Sequence, residues 1–188
     1  KLVSGKLLAG QTVLYWTDFP VMGTAPAGLF PADATEQADL ALTLCHTGQA
    51  LHLVPRIGVL GIGCKRGTSA DTLEAAFAAF CALHGLAAQA ITAAASIDLK
   101  QNEPGLLAFC QNHGWTVQFY SAAQLRSAPG QFNPSPFVQS VTGVDNVCER
   151  AAVLDAGGSL FYPKFADSGV TFALACRPFA PDWRWQYD

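Results

Sequence analysis

The sequence has little charge and lacks any long apolar run. Charged residues make up 13% of its 188 residues, and the formal net charge is −3. This balance argues against non-specific nucleic-acid binding, which requires a broad basic surface. No apolar run is long enough to cross a membrane, and no signal peptide is recognisable at the start. We therefore expect neither nucleic acid nor a membrane as a partner. Because the chain opens on Lys1 and goes directly into patterned sequence, we also expect a piece of a longer protein.

Closely spaced cysteines are also absent. The six cysteines lie at least seventeen positions apart, which excludes CxxC pairs and the spacing of a zinc knuckle. Several of them lie in apolar helical stretches, where cysteine behaves as a small hydrophobic residue. We expect reduced thiols in a cytoplasmic protein and no metal site.

Hydrophobic residues, in contrast, make up 51% of the chain, enough for a folded core. In residues 57–188, short apolar runs alternate with amphipathic helical stretches. This alternation predicts an α/β fold with three α/β/α layers and a mixed, largely parallel sheet. A terminal hairpin with Gly169 in its turn supplies the antiparallel part. Residues 1–56 carry three short strand signals around a loop rich in proline and glycine, and we expect a small annex that leans on the remainder.

The most informative segment is the glycine-rich loop GIGCKRGT at 61–68, between a buried strand and a predicted helix that Thr68 and Asp71 would cap. Glycines let a backbone approach a ligand, and the free N–H groups of a helix start favour anions. Two adjacent bases add positive charge. The loop therefore predicts a carboxylate or phosphate cradle, with a tight turn and two solvated bases as the alternative. The residues assigned to the cradle are Gly61, Gly63, Cys64, Lys65, Arg66, Gly67 and Thr68.

The two common nucleotide loops fit this segment poorly. A dinucleotide fingerprint requires GxGxxG and an acidic residue about 20 positions further on, whereas here the third glycine is one place late and the acid is missing. A Walker A loop requires lysine after glycine, and here Lys65 precedes Gly67. Cys64 lies beside two cations near a helix start, a setting that can lower a thiol pKa, so a reactive thiol stays open.

A second segment, ASIDLKQNEPG at 95–105, also follows a strand and opens a helix. Open α/β sheets bind ligands at the carboxyl ends of their strands, so this segment and the glycine loop should share one rim. Ser96, Asp98, Lys100 and Glu103 offer a hydroxyl, acids and a base there. Ordinary capping and a surface ion pair are the alternative.

A third segment comprises residues 132–138 and 141–150. Ser135 and Thr142 are candidate ligand contacts, although helix capping explains both equally well. Asp145 or Asn146 can cap the helix that follows. Glu149 falls in the first turn of that helix, where burial would require partners.

Four strings resemble the C-terminal domain of the cobalt-precorrin-5A hydrolase family, CbiG, and its stand-alone relative CobE. They occur in family order between residues 58 and 176. SGKLLAG at 4–10 and LHLVPR at 51–56 also resemble the central region of CbiG, which CobE lacks. The four strings are GIGCKRGTSADTLEAAF, ASIDLKQNEPGLLAF, FNPSPFV with VTGVDNVCERAAVLDAGG, and YPK with VTFALA.

The resemblance implies an enzyme of anaerobic cobalamin biosynthesis. Such an enzyme opens the δ-lactone of cobalt-precorrin-5A and releases acetaldehyde, giving cobalt-precorrin-5B. Its tetrapyrrole substrate carries many carboxylates and brings the cobalt with it, so no cofactor is expected. In this setting Asp98 and Glu103 are the candidate bases, and Lys65, Arg66 and Lys100 would bind carboxylates or an oxyanion.

The chain departs from the family in lacking the N-terminal domain of CbiG, which would then be a missing partner. A non-catalytic module that binds or carries corrinoid intermediates, as CobE suggests, is the main alternative. A nucleotide-binding α/β domain is a third reading. A homodimer also stays open.

Overall fold

The computed structural model describes residues 2–46, 48 and 50–184. These residues form two compact units. The first contains the described parts of 1–55, 85–87 and 179–184, and the second contains 56–84 and 88–178. Within these ranges, no helix has the length and apolar character needed to cross a membrane.

The first unit is built on a parallel sheet with the strand order β2-β1-β3-β4. Strands were expected at 13–16, 39–45 and 51–54, and the structure has strands in all three places. Strand β2 and helix α1 were not predicted. β2 has only three residues in a segment punctuated by proline and glycine, and it becomes a strand by pairing with β1. The elements are α1 Leu2–Leu8, β1 Val13–Thr17, β2 Leu29–Pro31, β3 Leu40–Leu42 and β4 Leu51–Leu53.

The second unit contains a five-stranded mixed sheet with the strand order β7-β6-β5-β9-β8. The three strands β5, β6 and β7 run parallel, and β9 pairs antiparallel with both β5 and β8. The predicted mixed, largely parallel sheet with a terminal hairpin is thereby confirmed. The strands are β5 Gly58–Cys64, β6 Ile91–Ile97, β7 Thr116–Tyr120, β8 Ser159–Asp167 and β9 Val170–Cys176.

Helices cover both faces of this sheet. Strand β9 shows the two faces, because Phe172 packs against Phe77 and Phe109 on one side while Ala175 packs with Ala151 on the other. Phe77 belongs to α2, Phe109 to α3 and Ala151 to α6, so the predicted α/β/α layering is confirmed. The helices are α2 Ala70–His84, α3 Pro104–Asn112, α4 Ala122–Arg126, α5 Pro136–Thr142 and α6 Cys148–Ala156.

The sequence predicts two capping boxes, Thr68 with Asp71 at the start of α2 and Ser121 with Gln124 at the start of α4, and the structure confirms the second and corrects the first. Ser121 caps α4 as expected, with its Oγ accepting from the Gln124 N–H and the Gln124 side chain accepting from the Ser121 N–H. At α2 the predicted pair of Thr68 and Asp71 is wrong. Ser69 Oγ accepts from the N–H of Thr72 at 3.2 Å, one position later. Thr68 Oγ1 instead donates to the carbonyl of Lys65 at 2.8 Å and closes the preceding loop.

Apolar residues at helical spacing predict one buried face of α2 that runs from Leu73 to Leu83, and the buried face in the structure is shorter. Leu73, Ala76, Phe77 and Phe80 are buried as expected, but Leu83 is 66% exposed. Periodicity alone therefore overestimated the helix length that packs on the sheet.

Candidate functional site

The glycine-rich loop and the second segment lie at the same edge of the sheet. β5 and β6 are parallel neighbours that pair from Gly58 with Ile91 to Gly61 with Ala95, with one register shift after Gly58, so their carboxyl ends point the same way. A Cβ added to Gly105 would lie 2.0 Å from the carbonyl oxygen of Thr68, which shows how closely the two segments pack. We call residues 64–69 and 98–105 together the rim.

Glu103 links the two halves of the rim. Its Oε2 accepts from the backbone N–H of Gly67 at 2.8 Å, and its Oε1 accepts from Lys100 Nζ at 3.0 Å. The residue is only 8% exposed. The hydrogen bond from Gly67 and then that from Lys100 lower the pKa of Glu103, against the opposing effect of burial. A carboxylate stabilised in this way is a weak proton acceptor, so the geometry disfavours Glu103 as the general base.

Lys65 and Arg66 are the exposed cations of the rim. Neither forms an ion pair with any residue that the structure describes, whereas Lys100 is held by Glu103. The Lys65 stem packs on the β8–β9 turn, because a Cβ at Gly169 would lie 3.0 Å from its Cδ and Cε. The Lys65 N–H also donates to the Gly169 carbonyl at 3.2 Å. The β8–β9 turn therefore holds Lys65, the first of the two exposed cations, in place.

Asp98 is the rim carboxylate that remains available for chemistry. It begins the short 3-10 turn Asp98–Lys100 directly after β6 and is partly exposed. Its backbone carbonyl accepts from the Gln101 N–H at 3.1 Å. Among the described residues, no hydrogen bond or ion pair engages its side chain. Asp98 can therefore accept a proton or bind water without breaking an internal contact.

The glycines of the loop have different roles from those predicted. A Cβ at Gly61 would lie 1.8 Å from the carbonyl oxygen of Cys148, and one at Gly63 would lie 2.5 Å from Thr171 Oγ1. The absence of a side chain at these two glycines allows α6 and β9 to pack closely against β5, a role that the sequence did not predict. Gly67 is different, because it has φ +72 and a Cβ added there would meet no atom within 4 Å. It supplies the left-handed turn at the exposed end of the loop.

Three other predicted residues are engaged inside the protein. Burial raises the pKa of the Cys64 thiol although Lys100 opposes the shift, so the setting does not activate it. Ser96 is fully buried and donates from Oγ to the carbonyl of Ile62 at 2.7 Å. The hydroxyl of Thr68 closes its own loop, as described above. These geometries do not support a thiolate nucleophile at Cys64 or a ligand contact by Ser96.

Ser135 and Thr142 make the local contacts expected of capping residues. Ser135 Oγ accepts from the Val138 N–H at 3.4 Å at the start of α5. Thr142 Oγ1 donates to the Val138 carbonyl at 2.8 Å near the end of the same helix. Among the described residues, no hydrogen bond joins Ser135 or Thr142 to the rim, so their assignment as ligand contacts stays a prediction.

In the third segment, Glu149 has a carboxylate that is both buried and hydrogen-bonded. It is fully buried at the start of α6. Its Oε1 accepts from Asn133 Nδ2 at 2.9 Å and from the Lys164 N–H at 2.7 Å. Its Oε2 accepts from the Asn133 N–H at 2.9 Å and from Asn146 Nδ2 at 2.7 Å. Helical spacing placed this acid in a first turn, next to Asn146, but its partners Asn133 and Lys164 come from a loop and a strand that only the fold brings near.

Asn146 also supplies the predicted cap of α6. Its Oδ1 accepts from the Glu149 N–H at 2.9 Å. The alternative cap, Asp145, instead pairs with Arg150, whose Nε lies 2.8 Å from Asp145 Oδ1. The hydrogen bond from Arg150 is the main cause that lowers the pKa of Asp145. In the described part of the chain, no group of three His, Cys, Asp or Glu residues is arranged to hold a metal ion.

Comparison with protein families shows to which family this chain belongs. The model of the family described as cobalamin synthesis G C-terminus matches residues 58–175, more than half of the chain. The chain belongs to this family. The resemblance to CbiG and CobE inferred from the sequence motifs is confirmed.

Members and structural neighbours of this cobalamin family cover different parts of the chain. A cobalt-precorrin-5A hydrolase from Priestia megaterium is 34% identical over 126 residues, which are 66% of this chain and 33% of the hydrolase. The match thus spans about a third of that relative. The crystal structure of CobE, a protein from the cobalamin pathway, is 35% identical and covers 65% of this chain and 92% of CobE, with a TM-score of 0.60. A cobalamin biosynthesis protein G homologue from Sulfolobus solfataricus covers 94% of this chain and 54% of its own, with a TM-score of 0.55. At 14% identity, this last neighbour supports the fold alone.

Proposed function

We propose that this chain acts in anaerobic cobalamin biosynthesis as part of a cobalt-precorrin-5A hydrolase. The reaction opens the δ-lactone of cobalt-precorrin-5A with water and then releases acetaldehyde to give cobalt-precorrin-5B. Cobalt arrives within the substrate, so the proposal requires no cofactor or metal site of the protein's own. The pathway setting also fits the expectation of a cytoplasmic protein.

The observation that carries the proposal is the rim itself. Two exposed cations, Lys65 and Arg66, lie on a glycine-rich strand–helix loop at the same edge of the sheet as the partly exposed Asp98, which follows the neighbouring parallel strand. A macrocycle with acetate and propionate side chains offers several carboxylates that such cations bind. The same edge supplies a base within reach of a bound macrocycle.

The residues can be assigned to the two chemical steps. In the first, water attacks the lactone carbonyl while Asp98 takes a proton from the water and a rim cation stabilises the oxyanion. The lactone C–O bond then breaks, and the leaving oxygen takes the proton back from Asp98, so that a hydroxyl and a carboxylic acid, which ionises in water, are formed and Asp98 is a carboxylate again. In the second, a base removes the hydroxyl proton, the adjacent C–C bond breaks, acetaldehyde leaves and the ring system receives the electron pair. Asp98 suits both proton transfers better than Glu103, whose lowered pKa and two hydrogen bonds make it the weaker base.

A non-catalytic role in binding or carrying corrinoid intermediates is the second candidate function. The match to CobE favours it, because that match covers 92% of CobE, whereas the hydrolase match covers a third of the enzyme. Under this alternative the N-terminal region of a longer relative would be needed for turnover. The rim would still bind the macrocycle.

The deciding experiment gives the purified chain cobalt-precorrin-5A and measures acetaldehyde, while visible absorbance follows binding. Acetaldehyde release that is lost in Asp98→Asn supports the hydrolase. Binding without acetaldehyde makes this chain a substrate-binding part whose turnover, if any, needs the remainder of a longer enzyme. Absence of binding would contradict both proposals.

A charge-matched pair of variants tests the placement of the site. We expect Arg66→Ala to weaken macrocycle binding about tenfold, which corresponds to the loss of one charged contact. Arg56→Ala is the control, since Arg56 is also exposed but precedes the seven-residue strand β5. At about 3.3 Å per residue it lies on the order of 20 Å from the rim. Equal effects of the two changes would contradict the proposed site.

A further inference from the structure

We infer that Glu103 is a positioning residue, which clamps the glycine-rich loop to the second segment so that Lys65 and Arg66 meet the substrate in a fixed arrangement. The inference rests on the proposed binding of an anionic macrocycle at the rim. It assigns Glu103 a role other than proton transfer.

The two carboxylate oxygens of Glu103 each hold a different half of the rim. Oε2 accepts from the Gly67 N–H, which lies 36 positions earlier in the chain, and Oε1 accepts from Lys100 Nζ. The Glu103 and Lys100 side chains are 10% and 15% exposed, so water screens this pair little. Removing one partner of such a pair leaves the charge of the other partner buried without an opposite charge beside it.

Backbone packing at the same place independently supports a clamp. Gly105, two residues after Glu103, lies so close to Thr68 that any side chain would collide with the Thr68 carbonyl. The Glu103 N–H also donates to the Lys100 carbonyl at 3.1 Å. This backbone hydrogen bond fixes Glu103 relative to Lys100, whose side chain binds its carboxylate. The loop and the start of α3 are therefore joined by both backbone contact and side-chain hydrogen bonds.

The clamp bears directly on the exposed cations. Arg66 immediately precedes Gly67, so holding the Gly67 N–H restrains the backbone that presents Arg66. Gly67 has φ +72, and a Cβ there would meet no atom within 4 Å, so no side-chain packing holds this residue. The hydrogen bond from Thr68 Oγ1 to the Lys65 carbonyl closes the same turn, and the bond to Glu103 ties it to the second segment. Lys100 is neutralised by Glu103, which leaves the substrate's carboxylates to Lys65 and Arg66.

Electrostatics and positioning predict opposite effects of removing Glu103. Loss of a negative charge beside three cations should tighten the binding of an anionic macrocycle. Loss of the clamp should weaken it, because the ligand must then order the loop on binding. A pair of substitutions with the same charge change but different hydrogen-bonding capacity separates the two effects.

The test compares Glu103→Gln with Glu103→Ala in binding to uroporphyrin, a porphyrin bearing acetate and propionate side chains, followed by absorbance. Both changes remove one charge, but glutamine keeps an oxygen that can accept from Gly67. We expect Glu103→Gln to bind as tightly as the wild type or more tightly, and Glu103→Ala to bind about tenfold more weakly than Glu103→Gln. Equal binding by the two variants would overturn the inference.

Two further measurements keep the test decisive if the alanine variant folds poorly. Glu103→Asp retains the charge but is one methylene too short to reach both partners, and we expect it to bind more weakly than Glu103→Gln. Hydrogen exchange at the Gly67 amide, measured by NMR without ligand, should be faster in Glu103→Asp and Glu103→Ala than in Glu103→Gln. Unchanged exchange would overturn the clamp. If the wild type binds no porphyrin, the proposed function fails while the Gly67 amide still reports on the clamp.

Discussion

The buried carboxylate of Glu149 gives the sharpest prediction about the fold. It accepts four hydrogen bonds with no exposed surface. In Glu149→Gln the side chain keeps its shape, but one oxygen becomes an NH₂ group that faces two donors. Two hydrogen bonds to a charged acceptor, worth about 1.5–3 kcal/mol each, are then lost. Relief from burying a charge offsets part of this loss, so we expect a net destabilisation of about 3 kcal/mol.

Urea denaturation followed by circular dichroism measures this change. With a slope of about 2 kcal/mol per molar urea, the midpoint should fall by about 1.5 M without a change in slope. Glu74→Gln is the matched control, because Glu74 has 52% side-chain exposure and bonds only His113 among the described residues. We expect the control to lose less than about 1 kcal/mol. A Glu149→Gln midpoint within about 0.3 M of the control would refute the reasoning.

Three other predictions follow from particular contacts. Gly61→Ala should lower the free energy of unfolding by about 1–3 kcal/mol in urea, because its Cβ would collide with the Cys148 carbonyl; an unchanged midpoint would show that α6 moves freely. The pKa of Glu103 is lowered from its ordinary value of 4.5, so its stabilising effect is complete above that pH and is lost as the pH falls through the lowered value. The difference in urea midpoint between wild type and Glu103→Gln should therefore shrink on acidification, and a difference that grew would contradict this sign. Cys64 should react with iodoacetamide at neutral pH more slowly than a free thiol in a peptide, because burial raises its pKa; faster reaction would restore it as a nucleophile.

Several features of this protein could be predicted from local sequence, because they depend on residues only a few positions apart. The capping box of Ser121 and Gln124 lies within one helical turn, and both of its hydrogen bonds are present. The apolar run before the glycine-rich loop forms β5, and the hairpin turn uses Gly169 at φ +80. The four motif strings were sufficient to identify the family, because their residues and their order can be read from the sequence without coordinates.

The predicted roles of single rim residues depended on neighbours that no local pattern contains. Glu103 looked like a base, but the Gly67 N–H lies 36 positions away and reaches it only because β5 and β6 are parallel neighbours. Gly61 looked like a ligand-binding glycine, yet the atom its Cβ would meet belongs to Cys148, far along the chain. Ser96 lies at a buried position of β6, and its hydroxyl donates a hydrogen bond to the Ile62 carbonyl of the adjacent strand β5.

Composition, periodicity and short motifs are sufficient to predict the family, the α/β class and the charged loop. Which of the charged and polar side chains remain available at the rim depends on long-range contacts that appear only in the folded protein. The physical reason is that an acid or hydroxyl is free for a ligand only if no internal donor or acceptor satisfies it. Those partners are set by strand order and helix packing, which join residues separated by tens of positions.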